Sequence, residues 1–413
     1  MVSPFMPDDE KLAAVRAALP AVEAGIYLNA GSVGPLPTET AKAMADLEAW
    51  ELRTGRAHVD YFEEFLARMD EARGAVAAVL GTDVDAVALN HSTTDGMNQA
   101  IGAVDWRAGD RAVATRLEHA GGVGPLHALR ARLGVDLDLV DLAPDDDDPS
   151  VLAAFDAAIT PGTRLVEVAH VSPMTGALLP VAAIAELAHA RGAMFVVDGA
   201  QAAGAMPVDV PATGADFYAV PGHKWLLGPE GTGALVVAPD VVERFYPAAA
   251  GAFSFQSFDP RGAVTFWPDA RRFDGAGFNR PSVVGMARSI GWLSMYVGLD
   301  WIHRRGSALA RHAAERLARI PGVDVITPRE RMATLVTFRI VGWPATAALD
   351  ELGARVFAIA RTIDHLDAVR ISVGFWATEA ELERFAEAVE LLAAHTPDTM
   401  PARRTLTILG QDA

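Results

Sequence analysis

Met194-Phe195-Val196-Val197-Asp198-Gly199-Ala200-Gln201 and Asp216-Phe217-Tyr218-Ala219-Val220-Pro221-Gly222-His223-Lys224-Trp225 are the two stretches that decide the fold. Each holds a short apolar run followed by small and polar residues, so each reads as a buried strand ending in a turn. Asp198 closes the first strand. Lys224 follows the second and precedes the glycine-rich Gly228-Pro229-Glu230-Gly231-Thr232-Gly233. From Tyr27 to Val237 similar strands alternate with amphipathic stretches, the pattern of a parallel sheet with helices on both faces. Ligands bind such sheets where strands end and helices begin, and Asp198 and Lys224 both fall there. Either residue alone reads as a helix cap or a surface turn; their pairing in this order and context carries the functional reading.

An acid at a strand end and a lysine on the next turn match the needs of a pyridoxal phosphate ring. The acid can keep the pyridine nitrogen protonated, so that the ring withdraws electrons, and the lysine can close a Schiff base. Gly199, Ala200, Ala202, Ala203 and Gly204 leave room for a ligand against the backbone. A phosphate site is expected upstream. Ala86-Val87-Ala88-Leu89 reads as a strand, and His91-Ser92-Thr93-Thr94-Asp95-Gly96 turns into a helical stretch from Met97 to Val104. The start of that helix offers unpaired N–H groups and a favourable dipole to an anion.

With these motifs the chain resembles the class V aminotransferases, the fold-type I group that also holds cysteine desulfurases, selenocysteine lyases and isopenicillin N epimerase. The resemblance runs from about Tyr27 to the C-terminal helix. It implies a pyridoxal 5'-phosphate (PLP) cofactor and an α/β fold: a large domain over residues 27–285 with a mostly parallel seven-stranded sheet, and a smaller C-terminal α/β domain over 286–413. The segment 1–26 is expected to pack with the small domain. Site roles carried over by the resemblance are Lys224 as the covalent anchor and base, Asp198 at the ring nitrogen, and His119 of Glu118-His119-Ala120 against the ring face. Thr93, Thr94 and His223 are expected around the phosphate and Gln201 on the ring hydroxyl. Asn29, in Tyr27-Leu28-Asn29-Ala30-Gly31-Ser32-Val33-Gly34-Pro35, is a substrate contact. Arg370, in Val369-Arg370-Ile371-Ser372, has the planar fork that captures a substrate carboxylate. The resemblance also implies a homodimer with a shared active site.

Departures from the desulfurase pattern bear on the reaction. The chain has no cysteine, which points away from a persulfide-forming desulfurase. Pro173 and Pro221 stand where desulfurases have polar residues, and Gly277 replaces a phosphate-binding Thr, with Asn279 or Arg280 as possible substitutes. Tyr246 to Arg280 reads as a long loop over the site, with a long helix beginning near Ser282. The expected function is therefore class V aminotransferase-like amino-group transfer on an α-amino acid. A β-eliminating C–S lyase or an epimerase is the alternative.

Composition fits an enzyme of this kind. A 413-residue chain with 51% hydrophobic and 21% charged residues can bury a large core. Its net charge of −18 argues against nucleic acid or an anionic membrane as partner. Neither a secretory signal nor an apolar run of membrane-spanning length is visible, so a cytoplasmic location is expected. Asp145 to Asp148 reads as a solvated turn, and no metal is expected.

Overall fold

In the computed structural model, residues 2–57 and 59–403 are described; the tail beyond 403 lies outside them. A seven-stranded sheet forms the centre. After β1 (Ile26–Tyr27), its strands are β2 (Val87–Asn90), β3 (Arg111–Thr115), β4 (Asp136–Val140), β5 (Thr163–Ala169), β6 (Met194–Asp198), β7 (Phe217–Pro221) and β8 (Gly233–Val237). Their spatial order is β2-β8-β7-β6-β5-β3-β4. Every neighbour pair is parallel except those of β8, which runs antiparallel to β2 and β7.

Strands in the middle of such a sheet are covered on both faces and so read as unbroken apolar runs. In β6 all five residues are buried. Phe195 and Val197 enter one core with Val113, Val166 and Val168, while Val196 enters the opposite core with Ala112, Ala114 and Leu165. Each valine, leucine or phenylalanine among them contributes about 1.5–3 kcal/mol on burial, so the sheet fixes the strand ends that carry the polar residues.

Five helices matter to the site: α1 (Asp8–Ala18), α2 (Thr38–Thr54), α3 (Val59–Leu80), α4 (Thr93–Gly102) and α5 (Ala120–Leu133). The Ser92 hydroxyl accepts the Asp95 N–H at 3.1 Å and caps α4. That cap starts the helix four residues earlier than the apolar pattern alone indicated, and it draws Thr93 and Thr94 into the first turn. His119 caps α5, its Nδ1 accepting the Gly121 N–H at 3.0 Å.

The expected loop from Tyr246 to Arg280 contains a hairpin, β9 (Phe255–Phe258) with β10 (Val264–Phe266), whose alternation is masked because most of its side chains are exposed. The following helix begins at Arg280 because the Asn279 side chain caps it, accepting the Ser282 N–H at 2.9 Å. A second sheet follows, built from β11 (Val323–Val325), β12 (Leu335–Ile340), β14 (Arg361–Ile363) and β15 (Ala368–Ser372) in the order β11-β12-β15-β14, all antiparallel. The short β13 (Ala358–Ile359) pairs with β1 instead.

The N-terminal segment packs here. Arg16 donates to the Trp376 carbonyl and bonds Glu381, both at 3.0 Å, and Val15 and Leu19 join Trp301 and Trp376 in one apolar cluster. A bridge between Asn29 and Ser372 then leads residues 29–34 to the seam between the two sheets. Among the described residues no helix is long and apolar enough to cross a membrane.

Candidate active site

Lys224 is held by a turn closed at both ends. Gly222 donates to the Thr232 carbonyl at 2.8 Å, Gly228 donates to the Gly222 carbonyl at 2.7 Å, and Gly34 donates to the His223 carbonyl at 2.8 Å. The N-terminal segment thus clamps the lysine turn. Burial brings the Lys224 ammonium down to about 8; the Asp198 carboxylate opposes the shift, and Arg370 and Arg361 reinforce it. An amine in that range is a usable nucleophile and base near neutrality.

Asp198 is buried at the end of β6, where its Oδ1 accepts the Ala200 N–H at 2.9 Å. Gln201, one turn on, donates to the Gly31 carbonyl at 2.9 Å and accepts the Trp225 indole N–H at 3.0 Å. It therefore ties the Asp198 turn to both the N-terminal segment and the lysine turn. The His119 imidazole titrates below its usual range because of burial and the Lys224 charge, with Asp198 opposing. Since its Nδ1 accepts the Gly121 N–H, the neutral ring carries its proton on Nε2.

Arg370 is 1% exposed and sits in mid-strand on β15. Its Nη1 donates to the Pro173 carbonyl at 2.6 Å, so the proline found in place of a polar residue still orients this guanidinium through its backbone. Nε and Nη2 have no partner. Burial lowers its pKa to about 9, with Arg361 contributing. Among the described residues no aspartate or glutamate pairs with Arg370. Gly31 is packed against this group: a Cβ there would lie 2.9 Å from Arg370 Nη2 and 3.0 Å from Gln201 Oε1, so only glycine keeps the approach open. Asn29, beside it, accepts the Ser32 hydroxyl at 2.9 Å.

Thr93 is buried with its hydroxyl unpartnered, and His223 Nδ1 is likewise unpartnered. Thr94 lies against Gly121, at the meeting of the α4 and α5 N-termini. Within a single chain neither proposed substitute for a threonine at Gly277 faces this group; the resemblance places that segment across a dimer interface. Asn279 spends its side-chain oxygen on the helix cap, and the Arg280 guanidinium lies 3.3 Å over the Tyr61 ring in a groove between α2 and α3.

Several residues escaped the sequence reading. Arg361 on β14 pairs directly with Arg370 across the sheet and, among the described residues, its side chain bonds only the Thr362 carbonyl, at 3.3 Å. Its charge reaches His119, Lys224 and Arg370. Under Asp198 lie Glu118 and Glu167. Glu118 accepts the Thr115 hydroxyl at 2.6 Å and the Ala169 N–H at 2.8 Å, and burial pushes it up to about 8. On the opposite face of the sheet His170 and Tyr218 share a 2.8 Å hydrogen bond. Glu118 stood next to His119 in a quoted motif; Arg361 and Glu167 had no local signal.

The orphaned donors form a coherent set. Thr93 Oγ1 at a helix start and two buried Arg370 nitrogens ask for two separate anions, and Lys224 lies within electrostatic reach of Asp198 and Arg370. A phosphate-bearing aldehyde and an amino-acid carboxylate meet that demand, so the residues fit PLP and the fold and site define a PLP-dependent enzyme.

Comparison with known proteins places it further. The family model for class-V aminotransferases matches residues 26–385, and the chain belongs to that family. A probable cysteine desulfurase of Methanothermobacter thermautotrophicus is 29% identical over 92% of this chain and 97% of its own length. Isopenicillin N epimerase of Streptomyces clavuligerus is 32% identical over 89% of this chain and 94% of its own. Among solved structures, the cystine C–S lyase C-DES in complex with its reaction product cysteine persulfide superposes with a TM-score of 0.84, at 24% identity over 90% of this chain and 99% of that one. A Thermococcus onnurineus cysteine desulfurase gives 0.81, at 26% identity over 95% and 100%.

These findings overturn the expectation of amino-group transfer as the main reaction, and with it the exclusion of persulfide-forming chemistry. Relatives named for sulfur release favour the C–S lyase alternative. The error lay in treating a protein cysteine as the only possible sulfur carrier.

Proposed function

We propose that this protein is a PLP-dependent C–S lyase that splits the Cβ–S bond of a disulfide amino acid such as cystine. One cystine and one water would yield pyruvate, ammonia and cysteine persulfide. The observation that carries this reading is the Arg370–Arg361 pair: two guanidinium groups side by side at the site, neither neutralised by a carboxylate. One carboxylate needs one fork. A substrate with a carboxylate at each end uses both, and the names of the relatives and of the persulfide-bound lyase agree with it.

PLP, when bound, supplies the electron sink that makes the substrate Cα–H acidic. The chain's residues do the rest. Arg370 would hold the α-carboxylate and aim Cα at Lys224, whose neutral amine takes the Cα proton. The electron pair left at Cα forms the Cα–Cβ double bond and expels sulfur from Cβ, which leaves with the distal half of the substrate as a persulfide. Arg361 would hold the distal carboxylate. His119 would cover one ring face, and Asp198 would keep the ring nitrogen charged. Because the sulfur departs on substrate atoms, no protein thiol is required. Assembly as a homodimer fits the apolar residues Leu52, Val59 and Phe62, exposed by 88%, 71% and 49% along α2 and α3.

The reading is tested by acceptor-free turnover. With L-cystine the purified holoenzyme should release pyruvate over many cycles, whereas arrest after one turnover with the cofactor in its amine form would overturn it.

A further inference from the structure

Glu167 is fully buried, and neither carboxyl oxygen has a hydrogen-bond partner. It lies on β5 opposite Val196 of β6, so it shares a sheet face with Asp198 two residues on. The first turn of α5 covers this face at Gly122. A Cβ built there would lie 2.9 Å from Glu167 Oε1 and 3.1 Å from Asp198 Oδ2, which puts the two oxygens within about 6 Å of each other. Glu118 completes the group from the loop after β3. Beyond Asp198 stand Tyr218 on β7, His119 at the α5 cap and Lys224 on its turn; each is affected by the Asp198 charge.

Three carboxyls in one dry space cannot all ionise. The three differ in the hydrogen bonds they accept. Glu118 accepts a hydroxyl and a backbone N–H, and Asp198 accepts a backbone N–H. Glu167 accepts nothing, and burial with the Glu118 and Asp198 charges raises it well above the carboxylate range. A buried neutral acid still has an O–H to satisfy; Glu118, pushed up to about 8, carries its own proton near neutrality, so the acceptor at hand is the Asp198 carboxylate across Gly122.

We infer that Glu167 is a positioning residue whose carboxylic O–H points to Asp198, directly or through one water, and so limits the charge that Asp198 presents to the cofactor's ring nitrogen. This rests on the reading of Asp198 as the ring-nitrogen partner. A less fully charged ring stores less of the electron pair left at Cα, so more of that pair goes to expelling the β-sulfur. The device thus favours elimination over amino-group transfer on the same scaffold.

Two measurements test it, neither of them an activity assay. The first uses cofactor-free protein. A buried acid protonated in the folded state and ionised in the unfolded chain makes stability fall as pH rises between its two pKa values, one proton giving a tenfold change in the unfolding constant per pH unit. Between pH 5.5 and 7.5 the wild-type unfolding constant should therefore rise ~100-fold more than that of Glu167→Gln; equal slopes would overturn the inference. The second uses holoenzyme with ¹⁵N-labelled PLP. Glu167→Leu, which lacks a donor, should move the ring-nitrogen resonance toward the protonated position, while Glu167→Gln, which keeps one, stays at wild type. If Glu167→Leu matches wild type while Asp198→Asn shifts toward the neutral position, the hydrogen-bond role of Glu167 is refuted. An unmoved resonance in Asp198→Asn refutes the ring-nitrogen reading of Asp198 and the second half of this inference with it, leaving the stability slope to decide whether Glu167 keeps its proton.

Discussion

Two patches of buried charge meet at this site and resolve their burial in opposite ways. On the side of the four-stranded sheet Arg370 has two unpartnered nitrogens and Arg361 stands beside it; on the side of the seven-stranded sheet Glu118, Glu167 and Asp198 crowd under the α5 N-terminus. Arginine keeps its proton through almost any burial, so the arginine side can be neutralised only by an anion brought from outside. A carboxyl can take up a proton, so the acid side relieves itself internally. On the proposed reading the first arrangement would serve as a substrate site and the second as an adjustable counter-charge, and Lys224 feels the charge of both.

Mutations separate the two sides, beginning with the residue both act upon. Lys224→Ala should lose turnover by several orders of magnitude and lose borohydride-trappable PLP, because the nucleophile and base are the same amine; trapping on the variant chain would place the anchor elsewhere. On the acid side Asp198→Asn should retain PLP while turnover falls ~10²–10³-fold, the usual loss for one preorganised electrostatic contact. Near-normal turnover would reduce Asp198 to a strand-end cap.

On the arginine side Arg370→Ala should weaken amino-acid binding by ~2–5 kcal/mol and leave the visible spectrum of the bound cofactor in place. A changed spectrum with unchanged binding would reverse the assignment of the two sides. Arg361→Met has the smaller effect, since this group is partly exposed: about a tenfold drop in kcat/KM for cystine, the size of one charge-assisted hydrogen bond. S-methylcysteine, which has one carboxylate, should be unaffected. Equal losses for both substrates would deny Arg361 a distal-carboxylate role.

The smallest effect is a pH dependence. Only the unprotonated Lys224 amine captures free PLP, and burial lowers its pKa from the ordinary lysine value to about 8. Stopped-flow capture by cofactor-free protein should accelerate as pH rises and level off above about 8. A plateau only near ordinary lysine pH would show that burial does not tune it.

The sequence made one side of this comparison far more readable than the other. Asp198, His223 and Lys224 announce themselves because each sits where an apolar strand ends, a local pattern visible in a few residues. Arg370 is conspicuous as a charge between apolar strand residues, but Arg361 becomes its neighbour only through the β14–β15 pairing. Glu167 stands in an apolar run, and its meeting with Asp198 depends on the parallel register of β5 and β6, whose strands are joined through a helix. The β9–β10 hairpin escaped because exposed strands lack the apolar alternation that betrays buried ones. The reaction was misread for a chemical reason: without cysteine no sulfur can rest on the chain, yet sulfur can leave on the substrate.

Departure of sulfur on the substrate is open to direct observation. During steady turnover of L-cystine, sulfane sulfur should be followed by mass spectrometry in both the small-molecule pool and the intact protein. Free cysteine persulfide equimolar with pyruvate and ammonia, on a chain of unchanged mass, is the predicted result; pyruvate without persulfide, or sulfur retained on the protein, would contradict it.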